Sequence, residues 1–436
     1  MNRIIIKSIV VIVALFVCGD GVAQQIAKST YGDVLLKNAT VHTITNGVVE
    51  GTDVLISDGM IADMGKGLSS TTATVVDCSN HHIYPGFIDG GTTLALSEVS
   101  SVSVTNDFNE IGDYIPQMQA LTAVNPNSVA IPVTRVNGVT SVIVKPAGGV
   151  FSGTASLINL VGYTPAQMDA GFRAVAMNFP SAAKRGRRDR RSEEDIKKDQ
   201  EKATKEIDEF WDKLKVYHMI DSASANKSNA KLSYQPEMEA MLPVYRGEIP
   251  LMINVTKDKD IEAAIAWVEK KNVKAILTGV TEGYRVADKI AASGLPVITG
   301  PVQAIPGRSE ERYDVAYANA GIMSNAGVKV ALRTNDTENV RNLPFHAGFA
   351  AAYGMGVDEA LKAITINPAE MFGVADKYGS IEKGKVANLF VSTGDPFEMK
   401  TRIVHLFIKG WKVPIESRHT LLYNEFLERS PGLEEK

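Results

Sequence analysis

Between residues 83 and 366 the chain alternates short apolar runs with longer amphipathic ones, and this alternation limits its fold more than any other feature. Strands alternating with helices pack as a parallel sheet with helices outside it. The strand-like runs fall at 83–89, 140–145, 155–160, 174–178, 250–254, 275–278, 296–299 and 328–333. Helix-like stretches at 260–270 and 285–292 follow the fifth and sixth runs, and 357–366 follows the last. Eight parallel strands close a barrel, so an α/β fold of the (β/α)8 type is expected. A chain of 436 residues holds such a barrel with additions and needs no second large unit.

The two ends read differently. Val34-Leu35-Leu36 and Val41-His42-Thr43-Ile44 precede Asn46-Gly47, and Val54-Leu55-Ile56 precedes Asp58-Gly59. Both dipeptides favour the positive φ angles of two-residue hairpins. Strand-like runs return at Ala387-Asn388-Leu389-Phe390-Val391 and at Ile403-Val404-His405-Leu406-Phe407-Ile408. The ends are expected to pair into one small β-sandwich beside the barrel. This divides the chain into a sandwich from 24–82 and 376–436 and a barrel from 83–375.

Residues 1–23 read as a signal peptide. Arg3 and Lys7 give a positive start, an apolar stretch too short to span a bilayer follows, and Gly21-Val22-Ala23 offers small residues for cleavage. The competing readings are a membrane anchor or a lipoprotein, the latter opposed by Val17 before Cys18. No other long apolar run occurs, so an exported protein without a transmembrane anchor, periplasmic or secreted, is expected. Cleavage would leave Cys78 alone, which reads as a small buried hydrophobe. A formal net charge of −4 implies no general attraction to nucleic acid.

One insertion, 184–218, stands apart. Lys184-Arg185-Gly186-Arg187-Arg188-Asp189-Arg190-Arg191 leads into Ser192-Glu193-Glu194-Asp195, a capping box. Ile196, Ala203, Ile207, Phe210 and Leu214 then recur at helical spacing. Such a segment is either a solvated loop with a helix packed on the barrel or a contact for anionic lipid, polysaccharide or a protein.

The stretch Tyr84-Pro85-Gly86-Phe87-Ile88-Asp89-Gly90-Gly91-Thr92-Thr93 resembles the first barrel strand of the amidohydrolase superfamily. Further motifs carry the resemblance through nearly the whole chain: Asn106-Asp107-Phe108, Asn137-Gly138-Val139-Thr140, Thr365-Ile366-Asn367-Pro368-Ala369 and Gly379-Ser380-Ile381-Glu382-Lys383-Gly384-Lys385. They look most like the imidazolonepropionase-like branch. The resemblance implies a TIM barrel with a composite sandwich, hydrolysis of carbon–nitrogen bonds, and zinc or another divalent metal at the C-terminal mouth of the barrel.

The same resemblance marks where the metal ligands should stand, and the residues there are wrong for the task. Strand one should offer two histidines, where this chain has Gly91 and Thr93. Strands five and six should each offer a histidine, at Asn254 and near Thr278; strand eight should end in aspartate, at Asn335. An amide binds zinc poorly and accepts no proton near neutrality. Of the seven histidines only His346, beyond strand eight, is placed to face the mouth, and Asp336 compensates only if its strand end is shifted. No metal or other cofactor is therefore expected.

Lys145 ends strand two, and Gly148-Gly149 follows it, allowing a sharp turn and close approach of backbone to a ligand. Lys145 reads either as a surface lysine or as a cation holding an anionic ligand in the space of a lost metal. With His346, Gly148 and Gly149 it completes the candidate ligand site. The expectation is a catalytically degenerate relative that binds a small molecule or acts as a partner subunit, as a homo-oligomer or beside an active paralogue. Two competing expectations remain. One is an exported enzyme acting on carbon–nitrogen bonds with an altered or metal-free site, using Asp336, Lys145 or Thr93. The other is a purely structural envelope protein.

Overall fold

The computed structural model describes residues 28–183, 190–225, 233–308 and 310–429. The expected signal segment and most of the basic loop, 184–189, lie outside the described residues. Strands β1 (Val34–His42), β2 (Val48–Ser57), β3 (Met60–Gly65), β4 (Thr74–Asp77) and β5 (His82–Pro85) open the chain. The barrel strands are β6 (Phe87–Thr92), β7 (Val139–Val144), β8 (Phe151–Asn159), β9 (Asp169–Asn178), β10 (Leu251–Val255), β11 (Ala275–Gly279), β12 (Val297–Thr299) and β13 (Val330–Leu332). Strands β14 (Leu389–Ser392), β15 (Ile403–Ile408) and β16 (Trp411–Val413) close it.

Both ends of the chain form one sheet in the order β16-β15-β14-β5-β1-β2-β3, with β4 also pairing to β1. Asp58-Gly59 alone join β2 to β3, both at positive φ, as a two-residue hairpin requires, whereas β1 and β2 are joined by the longer loop 43–47, in which Ile44 and Gly47 take positive φ and Asn46 does not. β14 lies antiparallel to β5, setting Phe390 opposite Tyr84 and Val391 opposite Ile83. Val41, Val54, Ile56 and Ile83 pack with Leu389, Val391 and Phe407 in a single core. Cys78 belongs to that core, and burial pushes its thiol up to about 11, which leaves it unreactive at neutral pH. Because the C-terminal strands cover apolar residues of the N-terminal ones, deletion from Lys383 onward is expected to leave no soluble, folded protein. The soluble fraction and far-ultraviolet circular dichroism of the truncated chain check this; a well-folded truncation would refute the shared core.

The second sheet runs β13-β12-β11-β10-β9-β8-β7-β6 and curls into a nearly closed barrel. The expectation of eight parallel strands fails at the third. β8 is antiparallel to both β7 and β9. The reason is connection length: only residues 145–150 join β7 to β8, and 160–168 join β8 to β9. A parallel crossover needs a dozen residues or more, so these links can only reverse the chain.

Where β6 and β13 meet, the barrel is drawn together beyond the strand ends. Asn335 N–H donates to the Gly91 carbonyl (3.1 Å), and Thr93 N–H donates to that of Asp336 (3.2 Å). One layer of inward side chains fills the barrel interior: Ile88, Ile143, Leu157, Ala174, Met252, Ile276, Ile298 and Ala331. Phe372, Val374 and Tyr378 pack beneath it. Tyr378 Oη accepts from buried Asn159 (3.0 Å), whose Oδ1 accepts in turn from Asn388 (2.7 Å). The N-terminal end of the barrel is thereby sealed, and access is left to the C-terminal end.

The capping box forms: Ser192 Oγ accepts from Asp195 N–H (3.1 Å) at the head of the helix Glu193–Ala225. Ile196, Ile207, Phe210 and Leu214 are buried along one face, packing the helix on the barrel. Among the described residues no helix is long and apolar enough to cross a membrane.

Candidate functional site

Side chains in a strand alternate faces, so the residues two positions beyond the inward layer form the next layer toward the mouth. Ile143 is followed on that face by Lys145, Met252 by Asn254, Ile276 by Thr278 and Ala331 by Arg333. Two cations therefore enter the upper barrel.

Arg333 lies across it. Its Cδ comes within 3.4 Å of the point where a Cβ on Gly91 would stand, and its Nη2 within 3.4 Å of the equivalent point on Gly279. Its Nε donates weakly to the Gly300 carbonyl (3.4 Å), while Nη1 is buried with no hydrogen-bond partner. The whole residue is only 5% exposed. Lys145 approaches from the other side, with its Cδ 3.5 Å and its Cε 3.7 Å from the same point above Gly91. Lys145 is mostly buried, and its amine makes no hydrogen bond or ion pair among the described residues.

The electrostatic consequence follows from burial first and like charge second. Desolvation, reinforced by Arg333, pulls the Lys145 ammonium down to about 7. Arg333 is lowered to about 10 by burial, against the pull of Asp89. Asp89 is fully buried on β6, and desolvation raises its carboxyl to about 7 despite its hydrogen bonds. It accepts from Gly91 N–H (2.9 Å), Thr334 N–H (3.0 Å) and the Thr334 hydroxyl (2.6 Å). Asp89 thus laces β6 to the end of β13 and is the acid that offsets Arg333.

Amides line the far side. Asn254 donates to Asn178 Oδ1 (3.2 Å), and Asn178 donates to the carbonyls of Gly149 (2.9 Å) and Gly148 (3.3 Å). Gly148 and Gly149 take positive φ as their turn requires. Their outer faces are closed by Asn109 and by the backbone of Gly112 and Asp113, so this turn is latched and offers no open cradle. Further out, buried Glu282 ties the loops after β10, β11 and β12 together, accepting from Lys257 (2.8 Å) and Arg308 (2.5 Å). Burial works to raise its carboxyl, but Arg308 and Lys257 hold it at about 2.

The candidate residues separate accordingly. Gly91, Lys145, Asn254 and Thr278 gather at the upper barrel, together with Arg333. Thr93 is engaged by the Thr337 hydroxyl (2.6 Å). Asn335 is exposed at φ 54°, its N–H spent on Gly91. Asp336 is a cap, its Oδ1 accepting from the N–H groups of Thr337 (2.6 Å), Glu338 (3.0 Å) and Asn339 (3.0 Å). Burial acts to raise its carboxyl, yet these bonds leave it below the usual range. His346 is committed to the loop after β12: its Nδ1 accepts from Val302 N–H (3.0 Å), and burial lowers the imidazole to about 4, keeping it neutral. Arg333 is the residue of this layer to which the family resemblance gives no place. Its signal is parity, since it shares the inward face with Ala331.

A metal does not suit this set. Glycine supplies no donor, Asn254 and Thr278 are weak ones, and two cations stand beside the position of the first expected histidine. Among the described residues no three His, Cys, Asp or Glu side chains gather to hold an ion.

The barrel carries its two buried cations toward the C-terminal end and pairs with a second sheet made of both termini. The chain belongs to the amidohydrolase family, whose model matches residues 83–413. It is similar in structure to an amidohydrolase from Thermotoga maritima MSB8, with a TM-score of 0.77 and 27% identity over 87% of this chain and 99% of that one. A D-hydantoinase from Geobacillus stearothermophilus is 40% identical over 62 residues, 14% of this chain and 13% of the relative. An imidazolonepropionase from Porphyromonas gingivalis is 42% identical over 79 residues, 17% of this chain and 19% of that protein. The matched part thus spans less than a fifth of either curated relative.

Proposed function

We propose that this amidohydrolase-family chain binds a small organic anion at its barrel mouth through Lys145 and Arg333, in place of metal-assisted hydrolysis of a carbon–nitrogen bond. The observation that carries this reading is Arg333: a guanidinium with a buried, unpartnered Nη1 next to an unpaired lysine amine. An unpaired buried donor costs about 1–3 kcal/mol, more when charged, and a carboxylate seated between the cations would remove that cost. We further propose that the chain is exported and works as a ligand-binding subunit, alone or beside an active relative. In the competing reading, a metal-free C–N hydrolase, Asp336 does not serve as the base, because its carboxylate is committed to capping backbone.

Calorimetry with propionate as the probe tests the anion site. Wild type is expected to bind it, and Arg333→Met to weaken binding by about 10- to 100-fold, the loss of a charge-assisted hydrogen bond. Binding should also weaken as pH rises through 7 and above, because Lys145 then loses its proton while Arg333 keeps its own. No propionate binding, or binding indifferent to Arg333→Met, overturns the reading. So does about one tightly held zinc per chain after purification without chelator.

A further inference from the structure

We propose that the Lys145 amine condenses reversibly with the carbonyl of a small 2-oxo acid, whose carboxylate is held by Arg333. This rests on the anion-binding reading above and adds covalent chemistry to it. Three features of the site carry it. The amine stands at the end of β7, where residues of a barrel act on ligands. Its amine has neither a hydrogen-bond acceptor for its protons nor a donor on its lone pair among the described residues. Arg333 runs beside it, the two side chains both reaching within 3.4–3.7 Å of one point above Gly91.

A lysine in a desolvated site beside a second cation is the arrangement that turns an ammonium into a nucleophile. The lowering of Lys145 to about 7 agrees with that, since a large share of the amine is then uncharged at neutral pH.

The ligand class follows from the spacing of charge. A neutral aldehyde would place an iminium cation next to Arg333, two like charges in a buried site. A 2-oxo acid brings its own carboxylate directly beside the reacting carbon, so the Arg333–carboxylate–iminium triad carries one net positive charge instead of two. In the condensation the Lys145 nitrogen attacks the carbonyl carbon, forming a C–N bond as the oxygen takes up a proton. This first proton comes from the amine nitrogen; a second, from solvent, joins the hydroxyl of the carbinolamine, which leaves as water while the nitrogen lone pair forms the C=N bond of a protonated imine. One water is released and no oxidant or reductant is needed.

The test uses the full chain with pyruvate, with and without sodium cyanoborohydride, read by intact mass and by peptide mapping. The expected result is a single reduced carboxyethyl adduct at Lys145, with every other lysine at background. Lys145→Arg should lose the adduct completely, and an adduct that persists in it overturns the assignment to Lys145. Arg333→Met should lose most of the adduct with pyruvate. Pyruvate that binds by calorimetry without trapping at Lys145 overturns the covalent step and leaves the anion site standing. Adducts spread evenly over surface lysines overturn it equally. Failure of both pyruvate and propionate to bind instead removes the anion site on which the inference rests.

Discussion

Histidine at positions 91, 93 and 254 together with aspartate at 335 is expected to create no metal site while Arg333 and Lys145 remain. Backbone strain is not the obstacle, because Gly91 lacks the positive φ that would exclude a side chain. The obstacle is occupied space and charge. A Cβ at position 91 already meets Arg333 at 3.4 Å and Lys145 at 3.5 Å, so an imidazole must displace one of them. A divalent ion about 4 Å from a single cation is opposed by roughly 8 kcal/mol at an effective dielectric near 20, twice the value for unit charges.

Adding Arg333→Gly and Lys145→Met removes both repulsions and frees the volume. Zinc affinity of the six-fold variant should then exceed that of the four-fold one by at least about a thousandfold, since each 1.4 kcal/mol is a factor of ten. Competition with a chelator measures this, with circular dichroism confirming that each variant is folded. Hydrolysis need not return, because the partners that orient metal-bound histidines would still be lacking. Tight zinc binding by the folded four-fold variant would falsify the view that the two cations hold the metal's place.

The second large effect is a gain. Lys145→Met should stabilise the protein by about 2 kcal/mol at pH 6, because a buried unpaired cation gives way to an apolar chain of similar length. The sign of its pH dependence is fixed by the folded-state value. Lys145 titrates near 7 in the folded protein and near 10.5 when unfolded, so between those values the unfolded chain binds more protons. Wild type therefore gains stability as pH rises from 7 toward 10.5, and the advantage of Lys145→Met shrinks over the same window. Asp89 runs the other way at lower pH: its folded-state value is raised to about 7, so its contribution falls as pH rises from about 4 to 7 in both proteins. Thermal unfolding at pH 6 and pH 9 compares the two. An unchanged or lower Tm for Lys145→Met at pH 6 would mean that the lysine is already compensated. The variant should lose propionate affinity as it gains stability, the exchange expected where a binding site is kept at a cost to the fold.

Much of this architecture is legible in the residues. Apolar runs at 250–254 and 275–278 fall within a residue of β10 and β11, and Asn46-Gly47 and Asp58-Gly59 mark the hairpins they make. The direction of β8 is not written in its apolar run, since a strand buried on both faces looks alike either way. It is written in the brevity of the links on either side. Lys145 is found from its place at a strand end. Arg333 is hidden because the motif aligns aspartate with Asn335, although alternation from Ala331 points inward at Arg333. Asp336 and His346 have the right chemistry for a mouth and are used by backbone instead. That depends on the approach of residues 302–303 and on the turn at 337–339, which only the folded chain sets.

The pairing of β14 with β5 also governs when folding can finish. β14 is separated from its partner by the whole barrel, so their contact closes the long loop from residues 82–85 to 389–392. Such long-range pairings form late and slowly. Until residues 389–392 leave the ribosome, β5 keeps an unpaired edge and Ile83 lacks its apolar cover. The nascent chain therefore carries a sticky β-edge through most of its synthesis, and its yield in the cell should depend on whatever shields that edge.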